Sequence, residues 1–455
     1  MCWRVVIASI CVGLLAGCAE EPRPPNLLVI LLDTTRADHL SSYGYERATT
    51  PTIDALADRG ARFSEIYSQS SLTPVSASTL LSGAHPYRHG VRSLFVVGRQ
   101  SMASDVASLP ELLTRSGRRT VGFVSAKPMG AQYGLARGFE SYHDDLSATL
   151  ERYHVDKPSD AAQRPADDTT ELVLEWLEQR PREPFALFVH YFDAHDPSFV
   201  PPRAWLEQHV SFPLPPKLAR SGPEQRIPAL GTPSNRVELY DAELRFMDEQ
   251  IARVLARLEA QGELDNTLIV VTADHGEAFG EHDFWTHGIL YQEQLHVPLI
   301  MAGPGVPRGR VVDGRGRLVD LLPTLAELLD LPAPRERLDG SSLAPLLRGA
   351  REDAPREVYS EVRHAAEDRL ARDPEMYALR VKDWKYIHRP STGRHELYDL
   401  ARDPEELEDR SSEHPELTGA LRYRLGQLGA LGGALPSLEG LSAEQIAELK
   451  RLGYL

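Results

Sequence analysis

The sequence predicts an α/β fold with a large, mostly parallel central sheet, and three observations predict it. Apolar runs at Leu27–Leu32, Phe185–Val189 and Leu268–Val271 show no polar alternation, the pattern of strands buried on both faces. Between them lies helical periodicity: Leu244, Met247, Ile251, Val254, Leu255 and Leu258 recur at three- and four-residue spacing within Tyr240–Gly262. The chain is also long, 455 residues, which favours one large domain with a smaller appendage.

The N-terminus reads as lying outside that fold. Arg4 gives a positive start, and Val5 to Ala16 is an apolar run too short to span a bilayer as a helix. Leu15-Ala16-Gly17-Cys18 resembles a bacterial lipobox. Residues 1–17 are therefore expected to be a cleaved leader, Cys18 the lipidated first residue, and 18–25 a Pro-rich tether. The two or three chains of such an anchor would hold the protein to the cell envelope, facing periplasm or exterior. All three cysteines (Cys2, Cys11 and Cys18) fall in this segment, so the fold has no disulfide. A formal charge of −16 argues against a nucleic-acid partner. It leaves room for a small anionic substrate, because a local cation overrides the global field.

In chain order, the first strand runs straight into Asp33. Thr50-Pro51 opens a helix that Gly60 closes, and Phe63–Tyr67 is extended. Thr73-Pro74 reads as cap and first residue of a helix ending at Gly83. A helix around Val106–Ser116 leads to a strand at Thr120–Val124, then Lys127. Asp144–Asp168 is polar and aperiodic, a predicted loop. The Phe185 strand is followed by His190, Asp193, His195 and Asp196, and Pro197–Asn235 is a Pro-rich excursion. After the strand at Leu268 come a glycine-rich loop, a strand in VPLIMAGPG and a helix at Asp320–Leu331. Near Arg351 the texture changes to short alternating and aromatic runs, VYSEV, MYALRVKDWKYIHR and HELYDL. They predict a small antiparallel subdomain over 351–455, after a main domain of 26–350. LGQLGALGGALPSLEG reads as a glycine-rich connector. The last helix opens at Ser442 with Gln445 three residues on, a capping-box arrangement, and closes at Gly453.

The chemistry concentrates at strand ends, where open α/β sheets bind ligands. Asp274-His275 ends one strand and Asp33 another, and a carboxylate beside an imidazole makes a pair of ligands for a divalent cation. The Thr73 hydroxyl can cap its helix, or attack an anion held at the helix N-terminus. Glu277 and His282 read as supporting or surface groups on an exposed loop. The chain lacks G-x-x-x-x-G-K-[ST], G-x-S-x-G, H-E-x-x-H and C-x-x-C, so nucleotide hydrolysis, serine-esterase and zinc-peptidase readings have no support.

Several segments together resemble the sulfatase family of the alkaline-phosphatase superfamily: LLVILLDTTRADHLSSYGY, TPTIDALADRGARF, LTPVSASTLLSGAHPYRHGV, PFALFVHYFDAHDPSFVPP, VVTADHGEAFGEH with THG, VDLLPTLAELLDL, LDGSSLAPLL and HELYDLARDP. The resemblance implies an α/β/α sandwich with one divalent metal ion (Ca, Mn, Mg or Zn) at Asp33, Asp274 and His275. It puts Thr73 at the nucleophile position and His195 and His287 around the anion or leaving group; Lys127, at a strand end where it binds an anion or is only solvated, and Arg36 are the expected substrate contacts. Active sulfatases carry a formylglycine made from Cys or Ser at the nucleophile position, so none is expected at Thr73. Ala77 stands where the family has a basic residue, and Thr34 where many members have a second metal-binding Asp. The expected function is hydrolysis of an anionic ester: sulfuric by resemblance, phosphoric or phosphonic by the threonine. Expected substrates are small esters or sulfated or phosphorylated glycans or lipids. A phosphoryl-headgroup transferase acting on envelope glycan or lipid, and a silent binding lipoprotein, are the alternatives.

Overall fold

The computed structural model describes residues 23–94, 100–152, 163–180, 183–195, 201–214, 233–352, 355–364, 373–429 and 442–452. Cys18 with the leader, Asp196, most of the Pro-rich excursion, 430–441 and Gly453 lie outside the described residues.

Eight strands form the main sheet: β1 (Asn26–Leu32), β2 (Ala61–Tyr67), β3 (Arg119–Phe123), β4 (Ser141–His143), β5 (Phe185–Tyr191), β6 (Thr267–Ala273), β7 (Leu299–Ala302) and β8 (Arg310–Arg317). Their order is β4-β3-β5-β1-β6-β7-β2-β8. Only β7 runs against its neighbours. The central strands β1, β5 and β6 are buried along their whole length, as their unbroken apolar runs require. Two groups of helices supply the cover: Pro51–Arg59, Ala166–Gln179 and Pro233–Ala260 pack together, as do Thr73–Ser82, Leu109–Arg115 and Leu321–Leu328. The result is an α/β/α sandwich.

Some elements differ from expectation for identifiable reasons. Asp144–Asp168 is not one continuous loop: a helix forms at Ser147–Arg152, and Ala166–Gln179 begins within it. The buried stripe of the latter includes Thr169 and Thr170, so its period is muted in hydropathy. Their hydroxyls are satisfied by Ser125 at 2.7 Å and Tyr191 at 2.8 Å. Strand β8, with the sequence RVVDGRGR, has too few apolar residues to announce itself and is held by pairing with β2. The Thr50 side chain does not cap the following helix; Asp248 accepts from the amides of Thr52 and Ile53, both at 2.9 Å.

The smaller unit is a four-stranded antiparallel sheet: β9 (Val358–Arg363), β10 (Glu375–Val381), β11 (Trp384–Arg389) and β12 (Arg394–Asp399). The helix Pro415–Gln427 lays Leu417, Leu421 and Leu425 on its Tyr359, Tyr377, Tyr386 and Leu397 side. The Ser442–Gln445 capping box is formed: the Ser442 amide donates to Gln445 Oε1 at 3.0 Å and the Gln445 amide to Ser442 Oγ at 3.2 Å.

This sheet grips the large domain through buried charge. Arg92 holds Glu361 in a two-pronged pair at 2.6 and 2.7 Å, and Glu406, paired within the small unit with Lys385 at 2.7 Å, accepts the Gln292 amide of the large domain at 2.7 Å. His282 joins the two units, with Nδ1 3.1 Å from Glu293 Oε1 and Nε2 3.2 Å from the Glu406 carbonyl. Burial alone lowers its pKa, but its bonds to Glu293 and Glu406 outweigh that, and the net shift is upward. A raised histidine pKa contributes stability that is present below the unfolded value of about 6.5 and is lost as pH rises through the folded value. Amide exchange in residues 281–296, corrected for the intrinsic rate, should therefore accelerate as pH rises above 7. It should be flat with pH in His282→Asn, and a flat wild-type profile would refute this account.

Candidate active site

Strand register assembles the site. Leu32 of β1 pairs with Ala273 of β6 and Tyr191 of β5, so Asp33 and Asp274 leave adjacent strand ends side by side. Thr34 then turns in the left-handed region, φ 47°, which strains a β-branched residue by on the order of 1 kcal/mol. The turn aims its amide at Asp274 Oδ1, 3.1 Å away, while the Tyr240 hydroxyl holds its carbonyl at 2.9 Å. Gly276 is required by closeness: a Cβ there would lie 2.1 Å from the Glu293 carbonyl oxygen.

Hydrogen bonds fix the imidazoles. His275 Nδ1 lies 3.0 Å from the Gly276 carbonyl, which can only accept, so Nδ1 donates and Nε2 is bare. That nitrogen lies 3.4 Å from Asp274 Oδ2 and 3.4 Å from Thr73 Oγ1. Burial pushes the His275 pKa down to about 4, so the ring is neutral. His190 accepts the Ser125 amide on Nδ1 at 3.4 Å and donates from Nε2 to Asp33 Oδ2 at 3.1 Å. It too is neutral, pushed to about 3 by burial and then by His275.

The carboxylates bear the opposite stress. Burial, then Asp274 and Glu277, hold the Asp33 pKa well above the ordinary carboxylate value, and burial raises Asp274 to about 6. Asp33 Oδ1 and Asp274 Oδ2 are buried without a hydrogen bond. Ligand atoms of Asp33, Asp274 and His275 lie within 4.8 Å of one another, all three side chains buried. Two oxygens lacking donors beside a bare imidazole nitrogen fit a divalent cation, and this O,O,N set does not select among Ca, Mn, Mg and Zn.

Thr73 is not a cap. It is the first helical residue; Leu72 precedes it and takes the Val75 and Ser76 amides on its carbonyl at 3.1 and 3.0 Å. With Pro74 lacking an N–H, this helix start offers no cup of free amides, contrary to the sequence expectation. The hydroxyl points instead to the carboxylate side, 3.3 Å from Asp33 Oδ2. Across from it, His287 Nδ1 donates to the Ser71 carbonyl at 2.8 Å, and its Nε2 faces His195 Nε2 at 2.9 Å. Burial, then His275, pushes the His287 pKa down to about 3, so the shared proton belongs to His195 Nε2.

The structure thus brings Thr73, Asp33, Asp274 and His275 together, with His195 and His287 joined beside them. Lys127 sits exposed on the turn after β3. Arg36 is placed otherwise than a substrate contact: its guanidinium is buried and engaged by Asp38 at 2.7 and 2.9 Å, Glu281 at 2.7 Å and the Glu277 carbonyl at 3.1 Å. The loop after His275 is not exposed either; Glu277 is buried and His282 half-buried. Sequence reasoning left His190 without a role and did not name Ser125. The signal for His190 was a histidine inside an otherwise apolar strand.

The family model described as Sulfatase matches residues 25–331. The chain belongs to the sulfatase family. A second model, N-sulphoglucosamine sulphohydrolase, C-terminal, matches residues 280–430. Among sulfatase relatives, the Delta 4,5-hexuronate-2-O-sulfatase of Bacteroides thetaiotaomicron is 27% identical over 87% of this chain and 86% of its own length. The choline-sulfatase of Rhizobium meliloti is 26% identical over 84% and 81%. The same fold occurs in the phosphonate monoester hydrolase of Agrobacterium radiobacter, at TM-score 0.70, 23% identity, and coverage of 90% and 95%. The protein is a hydrolase of ester bonds in a metal-dependent family, and Asp33, Asp274 and His275 are its candidate metal site.

Cation binding to this sulfatase should appear as stability. At a hundred times Kd, a ligand of the folded state stabilises by about 2.7 kcal/mol, several degrees in Tm. Asp274→Asn should abolish that gain while leaving the Tm in chelator unchanged or raised, because one of two repelling buried charges is gone. Equal cation-induced shifts in both proteins would place the cation elsewhere.

Proposed function

We propose that this sulfatase-family protein hydrolyses anionic esters with Thr73 as nucleophile, and that phosphoric or phosphonic esters suit it better than sulfuric ones. One observation carries the reading: the Thr73 hydroxyl lies within 3.4 Å of both Asp33 and His275, against the candidate metal ligands. A divalent cation bound there supplies Lewis acidity, acidifying a nearby hydroxyl and offsetting charge on the transferring oxygens.

The protein's own groups do the rest. Asp33 Oδ2 takes the Thr73 proton on the inner side, leaving the hydroxyl oxygen's lone pairs for the ester. As the bond from Oγ1 to phosphorus or sulfur forms, the bond to the alcohol oxygen breaks and keeps its electron pair there. His195, acting as the imidazolium, gives its Nε2 proton to that oxygen and is left neutral with Nδ1–H, and His287, neutral and anchored to Ser71, keeps His195 aimed. In the second half, His195 takes a proton from the water whose oxygen bonds to the phosphorus or sulfur, the bond to Oγ1 breaks with its electron pair on Oγ1, and Asp33 Oδ2 returns the proton to Thr73. A phosphothreonine is opened in this way. A threonine sulfate lacks the elimination route that a formylglycine hydrate provides, which is why the reading leans to phosphorus.

The substrate class extends this reading. The hexuronate 2-O-sulfatase relative acts on a sugar, by its name, and supports a glycan-borne ester as the substrate. The Leu15–Cys18 segment supports anchoring at the bacterial envelope.

Purified protein loaded with Ca, Mn, Mg or Zn should turn over at least one member of a panel of aryl sulfates, phosphomonoesters, phosphodiesters and phosphonates. Thr73→Ala should lower that rate by roughly a thousandfold or more. Quenched turnover should leave a covalent adduct on the Thr73 peptide. Turnover that survives Thr73→Ala would sink the proposal. Separately, Cys18→Ser should move the protein from the membrane to the soluble fraction of a bacterial host. Unchanged membrane association would reject the anchor.

A further inference from the structure

We propose that Gln294 is a positioning residue that sets the orientation of His287, and through it the proton on His195. The inference rests on the hydrolytic reading above for its kinetic arm only.

Gln294 is fully buried, in the single helical turn Gln292–Leu295. Its side-chain oxygen accepts the amides of Gly288 at 2.8 Å and Ile289 at 2.9 Å, and its side-chain nitrogen donates to the Thr286 carbonyl at 3.1 Å. One amide group therefore brackets His287 on both sides of the backbone. Its main-chain carbonyl meanwhile accepts the Gly276 amide at 2.9 Å, next to His275. The two loops bearing His275 and His287 are tied to one residue that touches neither ring. Asn-like shortening or an apolar isostere would leave the Gly288 and Ile289 amides without this acceptor, while the Thr286 carbonyl would keep the Ala278 amide at 3.0 Å.

The turn that carries Gln294 is itself held from the small sheet. The Gln292 amide donates to Glu406 Oε2 at 2.7 Å, and Lys385 pairs with the other Glu406 oxygen at 2.7 Å. Beyond His287, the imidazole is fixed by the Ser71 carbonyl alone on Nδ1, so its ring follows its backbone. A rotation of the Thr286–Ile289 segment would break the 2.9 Å contact with His195. The damage should then fall on protonation of the leaving oxygen, leaving attack by Thr73 largely intact.

The test compares phenyl and p-nitrophenyl esters of whichever acid the holoenzyme turns over. The phenyl leaving group needs the proton and the p-nitrophenyl group much less. Gln294→Ala should lower kcat on the phenyl ester roughly tenfold to a hundredfold, and on the p-nitrophenyl ester by less than about threefold. Gln294→Glu keeps both accepted bonds but turns the donation to Thr286 into repulsion between two oxygens, so it should show a loss of the same selectivity. It serves alone should the alanine variant not fold. Equal losses on both esters, or none, would overturn the proposal. A second readout needs no activity: imidazole 15N spectra should show His287 as one Nδ1–H tautomer in the wild type and an altered or averaged signal in the variants. Unchanged signals would overturn it as well. If the wild type turns over no ester, the functional proposal fails, and the spectra still decide on Gln294.

Discussion

Two carboxylates that the sheet forces together, in a place water does not reach, are the constraint on which the rest of this structure turns. Pairing of Leu32 with Ala273 leaves Asp33 and Asp274 no alternative but adjacency. Each raises the cost of ionising the other, and burial adds the larger share. A buried charge without a partner is among the most destabilising features a fold can carry. A dication between them removes the conflict at one stroke, and its local charge outweighs the chain's net charge of −16 within the pocket. The strained turn at Thr34 and the crowding at Gly276 make sense as geometry bent to bring those ligands to one point.

Around the carboxylates the imidazoles are kept neutral. His190, His275 and His287 are all driven by burial to pKa values of about 3 or 4, and each has its tautomer chosen by a backbone group: the Ser125 amide, the Gly276 carbonyl and the Ser71 carbonyl. Burial thus does two jobs. It raises the stakes on the acids, which favours a cation, and it strips the histidines of charge, which keeps them as directed donors and acceptors. The mobile proton is confined to the His195–His287 contact, where the His287 ring also packs 4.5 Å from that of His275.

What could be read from the sequence follows the range of the interactions involved. Strand runs and the acids at their ends were legible because hydrophobic burial and the strand-end rule act locally, and both leave marks in consecutive residues. The placement of His195 and His287 came only by resemblance, since no local rule says that residues 92 apart share a proton. Arg36 misled because an arginine near a predicted anion site looks like a ligand until Asp38 and Glu281 are seen to absorb it. Thr73 looked like a cap because Thr-Pro usually is one; Leu72 took the preceding position, and the hydroxyl was released for Asp33. Gln294 and Ser125 act through backbone contacts made only in three dimensions, so their residue types announced nothing.

The same charge balance bears on which esters suit the site. Asp33 and Asp274 would balance a divalent cation, buried Glu277 adds a further carboxylate close enough to raise the Asp33 pKa, the three inner imidazoles are neutral, and Ala77 occupies the place where the resembling family has a basic residue. Such a pocket has little to offset a doubly charged phosphomonoester and more nearly matches a singly charged ester. Sulfate monoesters, phosphodiesters and phosphonate monoesters all carry one charge. The nucleophile then divides that group, since a threonine ester of phosphorus can be opened by attacking water, whereas a sulfated threonine would persist. Within the proposed hydrolysis, the charge argument and the leaving-group argument therefore converge on phosphodiesters or phosphonate monoesters. They do so from independent features: one from what surrounds the pocket, the other from the single side chain at residue 73.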